Sequence, residues 1–279
     1  MVVGAIVSVQ VGGAFAATVF DQVGAAGMVF LRLFWAAVIL CAYSRPRLRG
    51  RTRHDWVVMA AFGALTATLC LTGYAAVDRL PLGLVVTLQL LGPLGLAVAM
   101  SHRAREFVWT AVAVAGVIML GRSSGHIDMV GVALSLTGAA AWVGYILLSA
   151  STGRRFPGVT GLALALAVAA LLVAPVGIAQ GGTALLRPTV LLIGIVVALM
   201  TAVINFALEL VALRQMPPRT FGVLMSLSPA VAALAGFVVL DQRLSLLQVT
   251  GIALVIAASA ATVSGSRSSA EPAIVPADR

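Results

Sequence analysis

The sequence predicts an all-α integral membrane protein of ten transmembrane helices, arranged as two inverted five-helix repeats. Three observations support this fold class. The chain is 61% hydrophobic and 10% charged, with a mean hydropathy of +1.09, far outside the averages of soluble domains. Its apolar residues form long runs separated by short polar gaps. The pair Pro81 and Pro93 recurs as Pro217 and Pro229, at an offset of 136 residues.

Ten apolar runs follow one another along the chain. A transmembrane helix needs about 20 apolar residues, and only the fifth run, at about sixteen, is clearly short. None shows the alternation with a period of two that marks the strands of a barrel, so helices are expected. The runs are approximately 2–20, 24–43, 56–77, 81–100, 106–121, 127–150, 158–178, 189–212, 219–240 and 245–265.

The distribution of arginine predicts the orientation in the bilayer. All eighteen basic residues are arginine, and the net charge is +9. The gaps after runs two, four, six and eight, together with the tail, hold thirteen of them, and the remaining gaps hold four. Arginine is enriched in cytoplasmic loops, so both termini are expected in the cytoplasm. Because these charges are spread over short gaps between membrane spans, we expect the lipid bilayer, and not nucleic acid, as the partner.

The repeat divides the chain into predicted domains. Five spans per half is an odd number, so the second half must enter the membrane inverted relative to the first. The predicted repeats are residues 1–122 and 127–265, and residues 266–279 have the composition of a disordered cytoplasmic tail. Duplicated helical membrane proteins are often transporters that bind a small-molecule substrate at the repeat interface.

The twin prolines predict two backbone features. Pro93 and Pro229 lie inside runs four and nine, where a proline leaves the carbonyl four residues earlier without its helical partner. These carbonyls belong to Gln89 and Met225. In a membrane they are expected to face a cavity, a partner or a substrate, although a simple packing kink explains the prolines equally well.

Arg32 lies near the middle of run two. An arginine at that depth costs about 2.5–3.5 kcal/mol on insertion scales. We therefore expect it to face the bundle interior and to meet a carboxylate of the protein or of a ligand. A structural ion pair or a side chain reaching towards the membrane surface is the alternative.

A polar stripe is predicted in run eight, where Thr201, Asn205 and Glu209 recur every four residues. Such a stripe is suited to binding an amino group or carrying a proton. A pair between Glu209 and Arg214 at the membrane surface is the alternative.

Other polar and aromatic residues are weaker candidates. Trp142 and Tyr145 share one face of run six and either line a cavity or pack against a helix. Gln10 in run one and Tyr74 in run three belong to the same class. The sequence contains no nucleotide-binding, hydrolase or metalloprotease motif, so neither an enzyme nor a cofactor or metal is predicted.

Four segments resemble the EamA-type branch of the drug/metabolite transporter superfamily. The most specific is Met-Pro-Pro-Arg-Thr-Phe-Gly-Val-Leu-Met-Ser-Leu-Ser-Pro at 216–229, which resembles the ninth span of that family. The segments 80–93, 23–33 and 141–147 resemble its fourth, second and sixth spans. The similarity covers essentially the whole chain except the tail.

This resemblance implies two inverted five-helix repeats and export of small amino acids across the bacterial cytoplasmic membrane in exchange for protons. By position, Arg32, Pro93, Glu209 and Pro229 match the family pattern. Our own hypothesis is that Glu209 carries the proton. The candidate substrate-binding set comprises Gln10, Arg32, Tyr74, Gln89, Pro93, Trp142, Tyr145, Asn205, Glu209, Met225, Ser228 and Pro229.

Three positions depart from the pattern. Amino-acid exporters of this family carry glutamate where the chain has Gln89, Ser228 and Gln242. The substrate and its coupling to protons therefore stay open. Efflux of other small metabolites or drugs, and a non-transporting membrane subunit, are the alternatives.

Overall fold

The computed structural model describes residues 1–46, 52–99, 108, 111–112, 115–116, 128–156, 159–205, 208 and 224–265. Within these residues the regular structure is entirely helical, with no strand. Most of run five, the junction between the predicted repeats, Glu209, Arg214 and the tail lie outside the described residues.

Nine α-helices are described. They are α1 (Val2–Ala17), α2 (Phe20–Ser44), α3 (Arg53–Val77), α4 (Leu82–Ala99), α5 (Met129–Arg155), α6 (Thr160–Gly181), α7 (Pro188–Ala198), α8 (Ser228–Leu240) and α9 (Leu246–Gly265). A 3₁₀ turn at Gly182–Leu186 precedes α7, and a π-helical segment at Leu199–Ile204 continues it.

Four of the described helices are long and apolar enough to cross a membrane: Phe20–Ser44, Arg53–Val77, Met129–Ser149 and Thr160–Leu186. Shorter apolar helices lie at Val2–Ala17, Leu82–Leu96, Pro188–Ile204, Ser228–Leu240 and Leu246–Ala261. The prediction of an all-helical membrane protein is confirmed for the described residues. The total of ten helices and the inverted repeat stay predictions.

Polar side chains fix where α3 and α5 begin. Thr52 and Asp55 exchange side-chain to backbone hydrogen bonds at the start of α3, and this capping box satisfies two backbone N–H groups that the first turn leaves unpaired. Asp128 accepts hydrogen bonds from the N–H groups of Val130 and Gly131 at the start of α5.

An ion pair joins the end of α3 to the start of α5. Arg79 Nη1 donates to Asp128 Oδ2 at 2.8 Å. This hydrogen bond, with the backbone N–H of Gly131, lowers the pKa of Asp128 below its usual value. The pair links the two predicted repeats at one end of the bundle.

The longest interface in the bundle is the crossing of α2 with α6. Glycines let the two backbones approach: a Cβ added at Gly27 would lie 3.3 Å from Gly181 Cα, and one added at Gly177 would lie 2.5 Å from Phe30 Cβ. Small residues of this kind are typical of helix packing in membranes, where close van der Waals contact replaces the hydrophobic effect. The largest apolar cluster surrounds this crossing, with Met28 and Leu33 fully buried.

The prediction for Pro229 is wrong in one respect. Leu224 and Met225 are helical, a turn follows, and α8 begins at Ser228. Pro229 therefore lies in the first turn, where its missing N–H costs nothing. The Met225 carbonyl is not left free, because the Ser228 hydroxyl donates to it at 2.7 Å. Pro93 does lie inside α4, as predicted.

Candidate functional site

The described helices line a cavity of about 250 Å³. Its wall is mostly apolar, with a few polar groups contributed by different helices, as in many small-molecule sites. Both predicted repeats contribute. The lining residues are Ile6, Val9, Gln10, Gly13, Arg32, Leu69, Cys70, Gly73, Tyr74, Val77, Leu82, Val85, Val86, Gln89, Trp142, Thr201, Asn205, Met225 and Ser228.

Arg32 is the charged side chain of this wall. Its Nε donates to Thr201 Oγ1 at 2.8 Å, and its Nη1 lies 3.6 Å from Cys70 Sγ. The guanidinium Cζ stands 5.4 Å from the centre of the Tyr74 ring, within the range of a cation–π interaction. The Tyr74 hydroxyl is buried and has no hydrogen-bond partner among the described residues. Among the described residues, none of these partners carries a negative charge.

The π-helical segment positions the acceptor of Arg32. Thr201 donates its own hydroxyl to the Val197 carbonyl at 2.7 Å, so its oxygen remains directed at the guanidinium. Ser8 of α1 donates to the Met200 carbonyl at 2.7 Å. A Cβ at Gly12 would lie 2.8 Å from Thr201 Cγ2, so only glycine lets α1 approach this closely. Short π segments are frequent at functional sites.

Gln89 of α4 lies in a slot between two glycines. Its Nε2 is 2.9 Å from the position that a Cβ would take at Gly73 of α3, and 2.7 Å from the corresponding position at Gly138 of α5. The same Nε2 is buried and has no hydrogen-bond partner in the described part of the chain. A side chain at either glycine would displace the amide.

The structure brings eight of the predicted residues together on the cavity wall. They are Gln10, Arg32, Tyr74, Gln89, Trp142, Asn205, Met225 and Ser228. Pro93 and Pro229 lie in α4 and α8 but outside this lining. Tyr145 packs its ring on Phe62, with centroids 4.9 Å apart, and also falls outside the lining. Glu209 lies outside the described residues.

Sequence reasoning missed several parts of the site. Cys70 and Gly73 carry no polar signal, and the π-helical segment that positions Thr201 has no simple pattern. The role of Gln242 was also missed: its Oε1 accepts from the Leu82 N–H at 3.0 Å and so caps α4 from across the bundle. The available signal was the residue type of the neighbouring Asp241, because aspartate tolerates the left-handed backbone that it adopts there, with a φ of 51°.

The family model described as EamA-like transporter family matches residues 129–264. The threonine/homoserine exporter RhtA of Escherichia coli strain K12 is 34% identical over 258 residues, covering 91% of this chain and 87% of the exporter. The chain belongs to the EamA-like transporter family. The family resemblance predicted from the sequence is thus confirmed.

A second relative agrees with the first. The threonine/homoserine exporter RhtA of Salmonella typhimurium strain LT2 is 34% identical over 255 residues, covering 90% of this chain and 86% of the exporter. As a member of the EamA-like transporter family, the chain is a membrane transporter and not an enzyme. The matched segment lies within the second predicted repeat, whose boundaries stay a prediction.

One solved crystal structure shares the fold of this EamA-like transporter. The likeness covers 95% of this chain and 96% of the other, with a TM-score of 0.56 and 16% sequence identity. At that identity the match concerns the path of the backbone alone.

Proposed function

We propose that the protein exports small amino acids or closely related metabolites across the bacterial cytoplasmic membrane. The observation that carries this proposal is the cavity with Arg32 in its wall. The relatives named threonine/homoserine exporters support the substrate class.

Arg32 is proposed to bind the substrate carboxylate. A guanidinium withdrawn from water requires an anion, since an unpaired buried charge is strongly destabilising. Its described neighbours, Thr201, Cys70 and Tyr74, orient it without neutralising it. A planar guanidinium presents N–H groups that match the two oxygens of a carboxylate.

The rest of the wall is proposed to bind the other end of the amino acid. Gln89 and Asn205 provide amide oxygens that can accept hydrogen bonds from an ammonium group. Trp142 and the apolar residues of α4 would limit the size of the substrate side chain. Glu209 is the proposed proton carrier, on the basis of the sequence.

The transport cycle is proposed to be alternating access between two inverted five-helix halves around this cavity. The lining contributed by α1 to α4 meets the lining contributed by α5, by the π-helical segment and the residue after it, and by Met225 and α8, so a rocking motion would expose the site to one side at a time. Both termini are proposed to lie in the cytoplasm, on the evidence of the arginine distribution.

Flux of labelled threonine and homoserine in proteoliposomes tests the proposal. We expect wild-type protein to move both compounds and Arg32→Ala to lose most of the flux, because no other described charge in the cavity binds a carboxylate. Arg32→Lys keeps the charge but not the planar fork and is expected to retain a small part. The matched control is Arg187→Ala, an exposed arginine before α7, which should leave flux unchanged. Full flux in Arg32→Ala, or no wild-type flux of any amino acid, would overturn the proposal.

The two alternatives have less support. Efflux of cationic drugs fits poorly with a cavity whose described charge is positive. A non-transporting subunit has no need for a cavity of ligand size with an unneutralised arginine.

A further inference from the structure

We propose that Gly73 and Gly138 are specificity-determining positions that hold the Gln89 amide so that its oxygen receives the amino group of the substrate. The site then selects 2-amino acids over carboxylic acids that lack the amino group. This inference rests on the proposed function and deepens it.

The structure places the nitrogen of the Gln89 amide, and not its oxygen, against the two glycines. Gln89 Nε2 is the atom nearest to both glycine positions, at 2.9 Å and 2.7 Å, whereas Oε1 lies 4.0 Å from the position at Gly73. The oxygen is therefore on the side of the amide turned away from the two glycines. Because Gln89 also lines the cavity, the group left to contact a ligand is a hydrogen-bond acceptor.

The burial of Nε2 indicates that the slot serves a purpose other than stability. A buried N–H donor without a partner costs about 1–3 kcal/mol. A leucine at position 89 would fill the slot without that cost. An amide kept there despite it has a role in recognition, since each unsatisfied buried group in a native structure requires an explanation.

Adjacent residues of α3 place the cation and the amide on one wall. The Tyr74 ring lies 5.4 Å from the Arg32 Cζ, and Gly73, the residue before it, borders the Gln89 amide. A carboxylate on Arg32 and an ammonium group on Gln89 Oε1 are bound within one cavity, because both side chains line it. A 2-amino acid carries these two groups on neighbouring atoms.

The matched probes are L-threonine and 3-hydroxybutyrate, which is threonine without its amino group. The apparent affinity for each is measured by competition against labelled threonine flux in proteoliposomes. We expect wild-type protein to favour threonine by about tenfold or more, the value of one hydrogen bond. Gln89→Ala and Gly138→Ala should each abolish most of that preference, mainly by lowering the apparent affinity for threonine.

A double-variant cycle tests whether Gly138 acts through Gln89. In the Gln89→Ala background the nearest remaining atom to an added Cβ at Gly138 is Thr72 Oγ1, at 3.0 Å, so Gly138→Ala should cause little further loss of the preference. The control is Gly95→Ala in α4, where an added Cβ meets nothing within 4 Å, and the preference should be unchanged. If variant flux is too low to measure, thermal stabilisation of the purified protein by each compound gives the same ratio.

The outcomes separate the two proposals. If threonine flux persists and both Gln89→Ala and Gly138→Ala keep the wild-type preference, the specificity role is wrong and the exporter proposal stands. If Gly138→Ala has the same effect with and without Gln89, the glycine does not act through the amide. If wild-type protein neither transports nor binds either compound, the proposed function is wrong, and this inference is wrong with it.

Discussion

At the scale of single residues, the notable feature is a cation whose described partners are all neutral. Arg32 costs about 2.5–3.5 kcal/mol at membrane depth. Thr201, Cys70 and Tyr74 recover part of that cost through a hydrogen bond, a weak contact and a cation–π interaction. These partners fix the direction of the guanidinium and leave its charge available for an anionic ligand.

The role of Thr201 can be tested with an isosteric change. Thr201→Val removes the acceptor of Arg32 Nε while keeping the side-chain volume. A hydrogen bond to a charged group contributes about 1.5–3 kcal/mol, so we expect the KM for threonine to rise about tenfold or more. The measurement is initial flux against concentration in proteoliposomes.

Thr250→Val is the matched control, because Thr250 is exposed on α9 and bonds only to its own helix. An unchanged KM in Thr201→Val would mean that Arg32 does not depend on this threonine for its orientation.

At the scale of helices, α2 contains a break that a neighbouring helix repairs. Gly24 has a φ of 68° and a ψ of 166°, which interrupts the helical hydrogen bonds. The side chain of Gln180 from α6 enters the break, and its Oε1 accepts from the Ala26 N–H at 2.8 Å. Lipid cannot accept a hydrogen bond from the Ala26 N–H, so this group is satisfied by a side chain of the protein.

The break predicts a large effect of adding one methyl group. In Gly24→Ala the new Cβ would overlap the Gln180 side chain, and a positive φ disfavours any residue with a Cβ by about 1–2 kcal/mol. We expect a lower midpoint of thermal unfolding in detergent. Gly182→Ala separates the two causes, because Gly182 also has a positive φ of 51° but an added Cβ there meets nothing within 4 Å.

Gly24→Ala should therefore unfold at a lower temperature than Gly182→Ala. Equal midpoints would show that the contact with Gln180 contributes nothing.

At the scale of the whole molecule, polar contacts join the two predicted repeats at several places. The ion pair of Arg79 with Asp128, the Gln180 amide in α2 and the Gln242 cap on α4 all join one predicted repeat to the other. These polar contacts add to the apolar crossing of α2 with α6, which joins the same two predicted repeats.

Proton coupling is a property of the whole cycle and depends on Glu209 in our proposal. Glu209→Gln keeps the size and polarity of the side chain but cannot carry a proton. We expect threonine exchange without a pH gradient to persist, and accumulation driven by a pH gradient to be lost. Both are measured in the same proteoliposomes. Glu271→Gln in the predicted tail is the control, and gradient-driven flux that survives in Glu209→Gln would assign coupling to another group.

Much of the candidate site was predictable because membranes make polar residues conspicuous. Arg32, Gln10, Gln89 and Asn205 stand out in apolar runs, and all four lie on one cavity wall. The resemblance of 216–229 to a known span placed the chain in its family. Pro229 was misjudged, because a sequence of apolar residues does not reveal where a helix is interrupted and restarted.

The sequence by itself determined that the chain lies in a lipid bilayer and is helical, because hydropathy and the length of an apolar run depend on neighbouring residues along the chain. It also determined the family, through the segments that resemble known spans. Only the tertiary structure decided which atoms of these residues can meet a ligand. The glycine slot around Gln89, the π-helical turn under Thr201 and the neutral surroundings of Arg32 arise from helices far apart in sequence. Such contacts follow from packing in three dimensions, and no local pattern encodes them.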